Sequence, residues 1–433
     1  MPLNSDDMHF RHYAWRFLIL FSVLYCSLYC CRLNLSNASA LIMRDLGWEK
    51  AQIGILTGCL FWTYAIGQAI NGRLSEILGA SRFVILGTIG SIAINLVFSA
   101  QTTLIAMALL WMVNGYFQSM VWTPGLACLT KWWPSSKRGF ATGFAHAFSG
   151  FGQALSTASV SLAIMLLPSM GWHAAFVLPA LIPMAALVAY LIFARSNPAS
   201  IGLSDYEETV KPISDAERQM EEIRKTRGKL YPYRHLMRNS SFNIWMFVAF
   251  ATGFSRYGLV TWIPLYFIDQ YNINITAGLL ASMALPLGMG LGTFLIPWIS
   301  DHLYLHNRLR ACLHCALMGA AAVALLMLLD PRIAAHMLIA QILLFISGFA
   351  IYAINGTAWA FATDLGGRVF SATAAGMLNL SAYMGAAIQS FVYGFLLDRF
   401  GWSVIFWTVS LLCFIIAAIS FFSSRFNAAR GGF

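Results

Sequence analysis

Charge is what this chain has least of. Asp, Glu, Lys and Arg make up 10% of its 433 residues, against 59% hydrophobic. Soluble domains carry about 25% charged residues, so that class is excluded. Polar gaps are as scarce. Only residues 195–240 form a long polar stretch; elsewhere apolar runs of about 20 residues succeed one another, each able to span ~30 Å of hydrocarbon. Acids are missing from the middle of every run. All 17 Asp and Glu fall in tails, loops or run ends, which leaves no intramembrane carboxylate for a proton relay. The eight cysteines all lie inside apolar runs. Cys312 and Cys315 make a C-x-x-C beside His314, a spacing metal sites use; here it reads as helix packing, and no metal or cofactor is expected. No cleavable leader is expected either, because two aspartates precede Ala14 and the first run is too long.

What is there is a succession of helices. Backbone groups inside lipid have no water to bond to, so each run is helical. Twelve are placed near 14–38, 52–76, 83–100, 104–128, 139–167, 171–194, 241–270, 276–300, 308–329, 334–362, 369–397 and 401–423. The fold class is an all-α integral membrane protein. A net charge of +10 suggests nucleic acid, but its distribution argues for topology. Of 27 Lys and Arg, all but Arg32, Arg44, Lys50, Arg256, Arg332 and Arg399 fall in tails and loops on one side. This positive-inside bias puts both termini in the cytoplasm. The lipid bilayer is the expected partner surface, with no nucleic acid, and nothing demands more than a monomer.

The chain repeats. A shift of 224 residues lays Arg32 on Arg256, Leu41 on Leu265, Asp45 on Asp269 and Gly54 on Gly278. "GWHAAF" from Gly171 and "GWSVIF" from Gly401 open the sixth and twelfth runs. These offsets divide the chain into two pseudo-symmetric six-helix halves, 1–194 and 241–433, joined by a cytoplasmic linker, 195–240. Within the linker Ser214 and Glu217 fit a capping box, and Gly228 ends a short helix.

Arg32 and Arg256 each sit half-way through a run. An arginine at that depth costs ~2.5–3.5 kcal/mol on insertion scales and normally faces a protein interior or watery cavity. Two at matching places in two halves point to a binding site on the internal symmetry axis. Tyr25, Tyr29 and Arg32 share one face of the first helix; the bland alternative is aromatic packing with an arginine snorkelling to the interface. Tyr64 and Gln68 share a face of the second helix with Asn71, lining the cavity or making ordinary interhelical hydrogen bonds. Asn114, Gln118 and Trp122 share one of the fourth, which Pro124 kinks near its cytoplasmic end. In the fifth, Thr142, His146, Ser149 and Gln153 form a stripe, with His146 either a titratable site residue or a satisfied structural histidine. Tyr257 follows Arg256 in the seventh helix. Tyr352 and Asn355 share a face of the tenth, Asn379 and Tyr383 of the eleventh. In the eighth, Gly288, Gly290 and Gly292 read as close packing or a hinge. The cavity would hold two permanent positive charges and no counter-carboxylate. Guanidinium does not deprotonate, so the pair should seek an anion, and its planar fork suits phosphate or carboxylate.

Several stretches resemble a known family. "GRLSEILGASR", from Gly72 to Arg82, resembles the loop between the second and third helices of the major facilitator superfamily, with Glu76 at the acidic position and Ile77 and Ser81 replacing usual basic residues. The pattern from Tyr25 through Tyr29 and Arg32 to Asn34, "NGYFQSMVWTP", the histidine of "GFAHAFSGFG" and "RYGLVTWIPLY" resemble the organophosphate:phosphate antiporters, which include glycerol-3-phosphate and hexose-phosphate transporters. That resemblance implies that Arg32 and Arg256 grip the phosphate, that His146 lies beside it, and that Tyr25, Tyr29 and Tyr64 line the pathway. Leu33, Gln68 and Pro286 stand where members of the family carry charge, so this pocket is less charged than theirs. The implied function is exchange of an organophosphate for inorganic phosphate by alternating access, without enzymatic chemistry. The rival readings are a proton- or sodium-coupled organic-anion symporter and a non-transporting sugar-phosphate sensor.

Overall fold

A computed structural model describes residues 5–203, 231–304 and 307–429. The linker's capping box at Ser214 and Glu217, and Gly228, lie outside these residues, as does the side chain of Glu76. Among the described residues every regular element is a helix. The first six crossings are built from α1 (Ser5–Ser27), α2 (Asn34–Leu46), α3 (Lys50–Leu78), α4 (Ala80–Phe98), α5 (Leu104–Ser119), α6 (Trp122–Trp132), α7 (Ser135–Leu166), α8 (Ala174–Val177) and α9 (Leu181–Phe193). A short α10 (Tyr231–Met237) precedes α11 (Ser240–Tyr271), α12 (Ile275–Ser282), α13 (Ala284–Leu303), α14 (Arg308–Leu326), α15 (Ala334–Phe400) and α16 (Ser403–Ala429).

Among the described residues eleven stretches are long and apolar enough to cross a bilayer. The remaining expected crossing, the seventh, is α11, 32 residues long. It is less apolar because Thr252, Ser255, Arg256 and Thr261 interrupt it, and all four are buried inside the protein. The expected tenth and eleventh helices run together as α15. A straight helix of 67 residues would be about 100 Å long, far beyond the ~30 Å of hydrocarbon. It crosses twice, at Ala334–Ala358 and Thr373–Phe400.

Among the described residues four crossings are interrupted: the first, the fourth, the sixth (at residues 178–180, between α8 and α9) and the eighth. In the fourth, α5 stops at Ser119 and α6 starts at Trp122, with Pro124 in its first turn; in the eighth, α12 stops at Ser282, four residues before Pro286. Proline lacks the N–H and crowds the carbonyl four residues back, which accounts for both places. The expected kink of the fourth helix thus lies nearer its middle than its end. The first crossing, expected as one continuous helix, breaks with no proline. A 3-10 turn at Leu28–Cys31 separates α1 from α2, and Arg32 stands at its end.

Glycines fix the turns and the helix contacts. Gly79 alone joins α3 to α4, at φ 101°, a backbone that side chains rarely adopt. This gives a physical reason for a glycine in the loop from Gly72 to Arg82. Gly171 and Gly401, the paired "GW" positions, both have positive φ, 55° and 70°. Between the halves α3 packs on α15, where a Cβ on Gly54 would fall 2.4 Å from the Ser390 carbonyl oxygen, and α7 packs on α13, Gly150 against Gly290. Of the expected glycine run, Gly288 and Gly292 meet the backbone of Phe345 and Phe349. Close packing is therefore their role. On the side away from α1's start, Lys50 reaches Asp398 at 3.2 Å and Asp269 at 3.7 Å, tying the halves together.

Candidate substrate-binding site

The break in the first crossing frees backbone carbonyls, and side-chain amides cover them. Gln118 Nε2 donates to the Leu28 carbonyl at 3.2 Å. Asn114 Nδ2 and Asn95 Nδ2 donate to the Cys31 carbonyl at 2.8 and 3.1 Å. Ser91 Oγ accepts from Gln118 and donates to Asn114, both at 2.7 Å. Buried polar groups left unpaired would cost ~1–3 kcal/mol each, so this network makes the break affordable. Arg32 is tied into it. Its Nε and Nη2 both donate to Gln118 Oε1, at 3.1 and 2.8 Å. Its guanidinium lies 4.6 Å from the ring centres of both Tyr29 and Tyr64. Its Nη1 is buried with no partner.

Arg256 comes from unbroken helix. Its guanidinium is 4.2 Å from the Tyr257 ring centre and 4.6 Å from that of Tyr352, and Nη2 donates to Tyr257 Oη at 2.5 Å. Its Nε is buried and unpartnered. A chain of rings links the two arginines. Tyr64, under Arg32, packs 4.3 Å from Tyr383, whose hydroxyl accepts from Tyr257 Oη at 3.3 Å. Both guanidiniums are almost wholly enclosed, 3% and 7% exposed. Among the described residues, ion pairs join Arg44 to Asp45 and Lys50 to Asp269 and Asp398, and neither buried arginine pairs with a carboxylate.

One cavity lies on the side of the arginines where α1 begins, walled by Tyr25, Trp122, His146, Asn355, Asn379 and Tyr383, with Arg256 and Tyr257 at its head. His146 stacks on Tyr352 at 5.7 Å and packs 5.3 Å from Trp122; its Nε2 is unpartnered. Tyr352 shares a hydrogen bond with Ser149 at 2.8 Å.

The expected site residues separate into three groups. Arg32, Arg256 and the tyrosines at 25, 29, 64, 257, 352 and 383 come together with His146, Trp122, Asn355 and Asn379. Asn114 and Gln118 stand behind Arg32 and hold the helix break. Gln68 turns away and accepts a hydrogen bond from Thr123, while Asn71 donates to Ser119 Oγ at 2.7 Å. On the second helix, then, Tyr64 faces the arginine and its two amide neighbours join helices. Sequence reading missed Ser91 and Asn95. The signal was present: two polar residues four apart in an otherwise apolar run. Around the C-x-x-C, Cys312 and Cys315 are packed in a buried cluster, and His314 pairs with the Tyr304 hydroxyl at 2.9 Å. Among the described residues no three metal ligands converge.

Membrane-length helices packed around buried cations are an arrangement that secondary transporters use. The Major Facilitator Superfamily model matches residues 20–388, and the chain belongs to that superfamily. Among curated proteins it is 26% identical to a probable hexose phosphate transport protein of Chlamydia trachomatis, over 96% of this chain and 92% of that one. It is 26% identical to a probable sulfoacetate transporter of Cupriavidus necator, covering 88% and 86%. It is 25% identical to the glycerol-3-phosphate transporter of Bacillus subtilis, covering 99% and 95%. Its fold matches a bacterial homologue of the human lysosomal transporter Spinster, in an inward-facing, unoccupied conformation, with a TM-score of 0.70, 16% identity and coverage of 95% and 97%.

Proposed function

We propose that this transporter exchanges an organophosphate for inorganic phosphate across the plasma (inner) membrane, with both termini cytoplasmic and the monomer as working unit. The observation that carries this reading is the pair of buried guanidiniums, each with an unpartnered donor and neither with a carboxylate. Buried charge without a counter-ion is costly. A tetrahedral dianion between the arginines would supply both charges and hydrogen-bond acceptors. Relatives named for hexose phosphate and glycerol-3-phosphate support the organophosphate class.

The same arrangement favours exchange over net uptake. With the site empty, the halves must rock around two bare charges; with an anion bound, the charge is neutralised in both orientations. Reorientation should therefore be fast only when loaded. The test is uptake of labelled phosphate into proteoliposomes with and without internal phosphate. Uptake that requires internal anion supports the antiporter. Full-rate uptake into empty vesicles driven by a proton gradient would establish the symporter, and saturable binding with no movement would establish the sensor.

A further inference from the structure

Three cations converge on one groove in the outer surface of the first half, at the end where α1 starts. α1 packs against both α7 and α9, while α7 and α9 scarcely touch each other among the described residues. The outward face of α1 is therefore the floor of a groove between them. Trp15, Ile19 and Val23 run along that floor, four residues apart and all exposed. Trp15 leans toward the start of α7, its ring centre 5.3 Å from that of Trp133, 5.8 Å from Phe140 and 6.2 Å from Phe144. Phe140 is exposed as well.

The cations stand at the mouth of this groove. Arg11 is exposed four residues before Trp15, and Lys137 is exposed three before Phe140. At ~1.5 Å per residue they lie about 6 Å and about 4.5 Å nearer the water than those aromatic residues. Arg16 stands on the α9 side, its guanidinium 5.5 Å from the Tyr13 ring centre and 5.4 Å from that of Phe193. None of the three pairs with a carboxylate among the described residues. Asp6 and Asp7, the acids nearest in sequence, begin α1 a further turn out. Charge of one sign, one helical turn outside a belt of Trp and Phe, matches the layering of a phospholipid: phosphate outermost, acyl chains within. A soluble anion would use the cations and leave Trp15, Ile19 and Phe140 without a counterpart. A zwitterionic headgroup would bring its own ammonium against three cations. An anionic phospholipid satisfies both layers.

We propose that this groove holds one anionic phospholipid, its phosphate among Arg11, Arg16 and Lys137 and its acyl chains along Trp15, Ile19 and Val23. The proposal stands apart from the phosphate clamp, because lipid binding is read without transport. The test is native mass spectrometry of the purified full chain, titrated with phosphatidylglycerol and phosphatidylcholine of identical acyl chains. Each cation near a membrane surface favours an anionic lipid about fivefold, so the first phosphatidylglycerol should bind about 100-fold tighter than phosphatidylcholine. Combining Arg11→Gln, Arg16→Gln and Lys137→Gln should erase that preference. Combining Arg82→Gln, Arg310→Gln and Arg425→Gln, three exposed cations elsewhere at the same end of the molecule, should keep it. Trp15→Ala with Phe140→Ala should weaken both lipids alike and leave their ratio unchanged. Equal binding of the two lipids by the wild type, or an equal loss in the control variant, would overturn the assignment. So would displacement of the lipid by excess inorganic phosphate, which would mark a site for a soluble anion. Should the first triple variant not fold, the wild-type ratio and its resistance to inorganic phosphate decide alone.

Discussion

Arg32 and Arg256 hold matching places in the repeat, yet the protein secures them by opposite means. Arg32 sits at a break in its helix, and two of its three nitrogens are fastened to Gln118, itself fastened to the Leu28 carbonyl and Ser91. Arg256 rises from a continuous helix and is held by two tyrosine rings and one phenol hydroxyl. The first is a fixed jaw, set by a hydrogen-bond network that packs against three helices. The second has fewer hydrogen bonds and is held chiefly by stacking on two rings. Symmetry of sequence thus places two equal charges, and their neighbours hold them in different ways.

The sharpest way to break this comparison is to replace each arginine by lysine. Charge is kept, but the planar fork is lost. Exchange should fall at least about 100-fold in both, measured as phosphate counterflow. Arg32→Lys should also lower thermal stability in detergent more than Arg256→Lys, since it strands Gln118.

Next come the two supports. Gln118→Leu leaves two guanidinium nitrogens and a buried carbonyl unpaired, at a cost of ~1–3 kcal/mol for each group. It should reduce exchange more than tenfold and lower the melting temperature. Tyr257→Phe removes one hydroxyl from Arg256 and should reduce exchange only about threefold to tenfold. Equal losses would mean the two jaws are held alike.

His146→Ala should weaken transport less completely than either arginine change, since His146 flanks the site by stacking on Tyr352. Its effect is read from the apparent affinity for phosphate. The smallest effect is expected at the far side. Lys50→Ala removes two partly exposed ion pairs, each worth ~0.2–1 kcal/mol. A cysteine introduced at Asn37 should then be labelled a few-fold faster by an impermeant maleimide. Unchanged labelling would mean that these pairs do not hold that side shut.

Much of this was legible in the sequence, for identifiable reasons. Lipid forces helices, so apolar run lengths placed the crossings. A buried arginine is rare enough that a matching pair stood out. What stayed hidden were features set by tertiary contact. The break at Leu28–Cys31 has no proline or glycine to announce it; it exists because Asn95, Asn114 and Gln118, from two other crossings, supply donors. For the same reason Asn114 and Gln118 looked like cavity residues by helical spacing, although they stand behind the arginine. Gln68 shares a helical face with Tyr64, yet its amide reaches Thr123. The pairing of Lys50 with Asp269 and Asp398 joins residues more than 200 positions apart, beyond any local pattern.

The central claim is that two uncompensated arginines, one from each half, bind a single phosphate group. Equilibrium binding of labelled inorganic phosphate to the purified protein tests it most directly, with wild type, Arg32→Lys and Arg256→Lys compared at one pH. The account predicts saturable binding at one site in the wild type and at least about 100-fold weaker binding in each variant. Wild-type affinity retained in either lysine variant would contradict it.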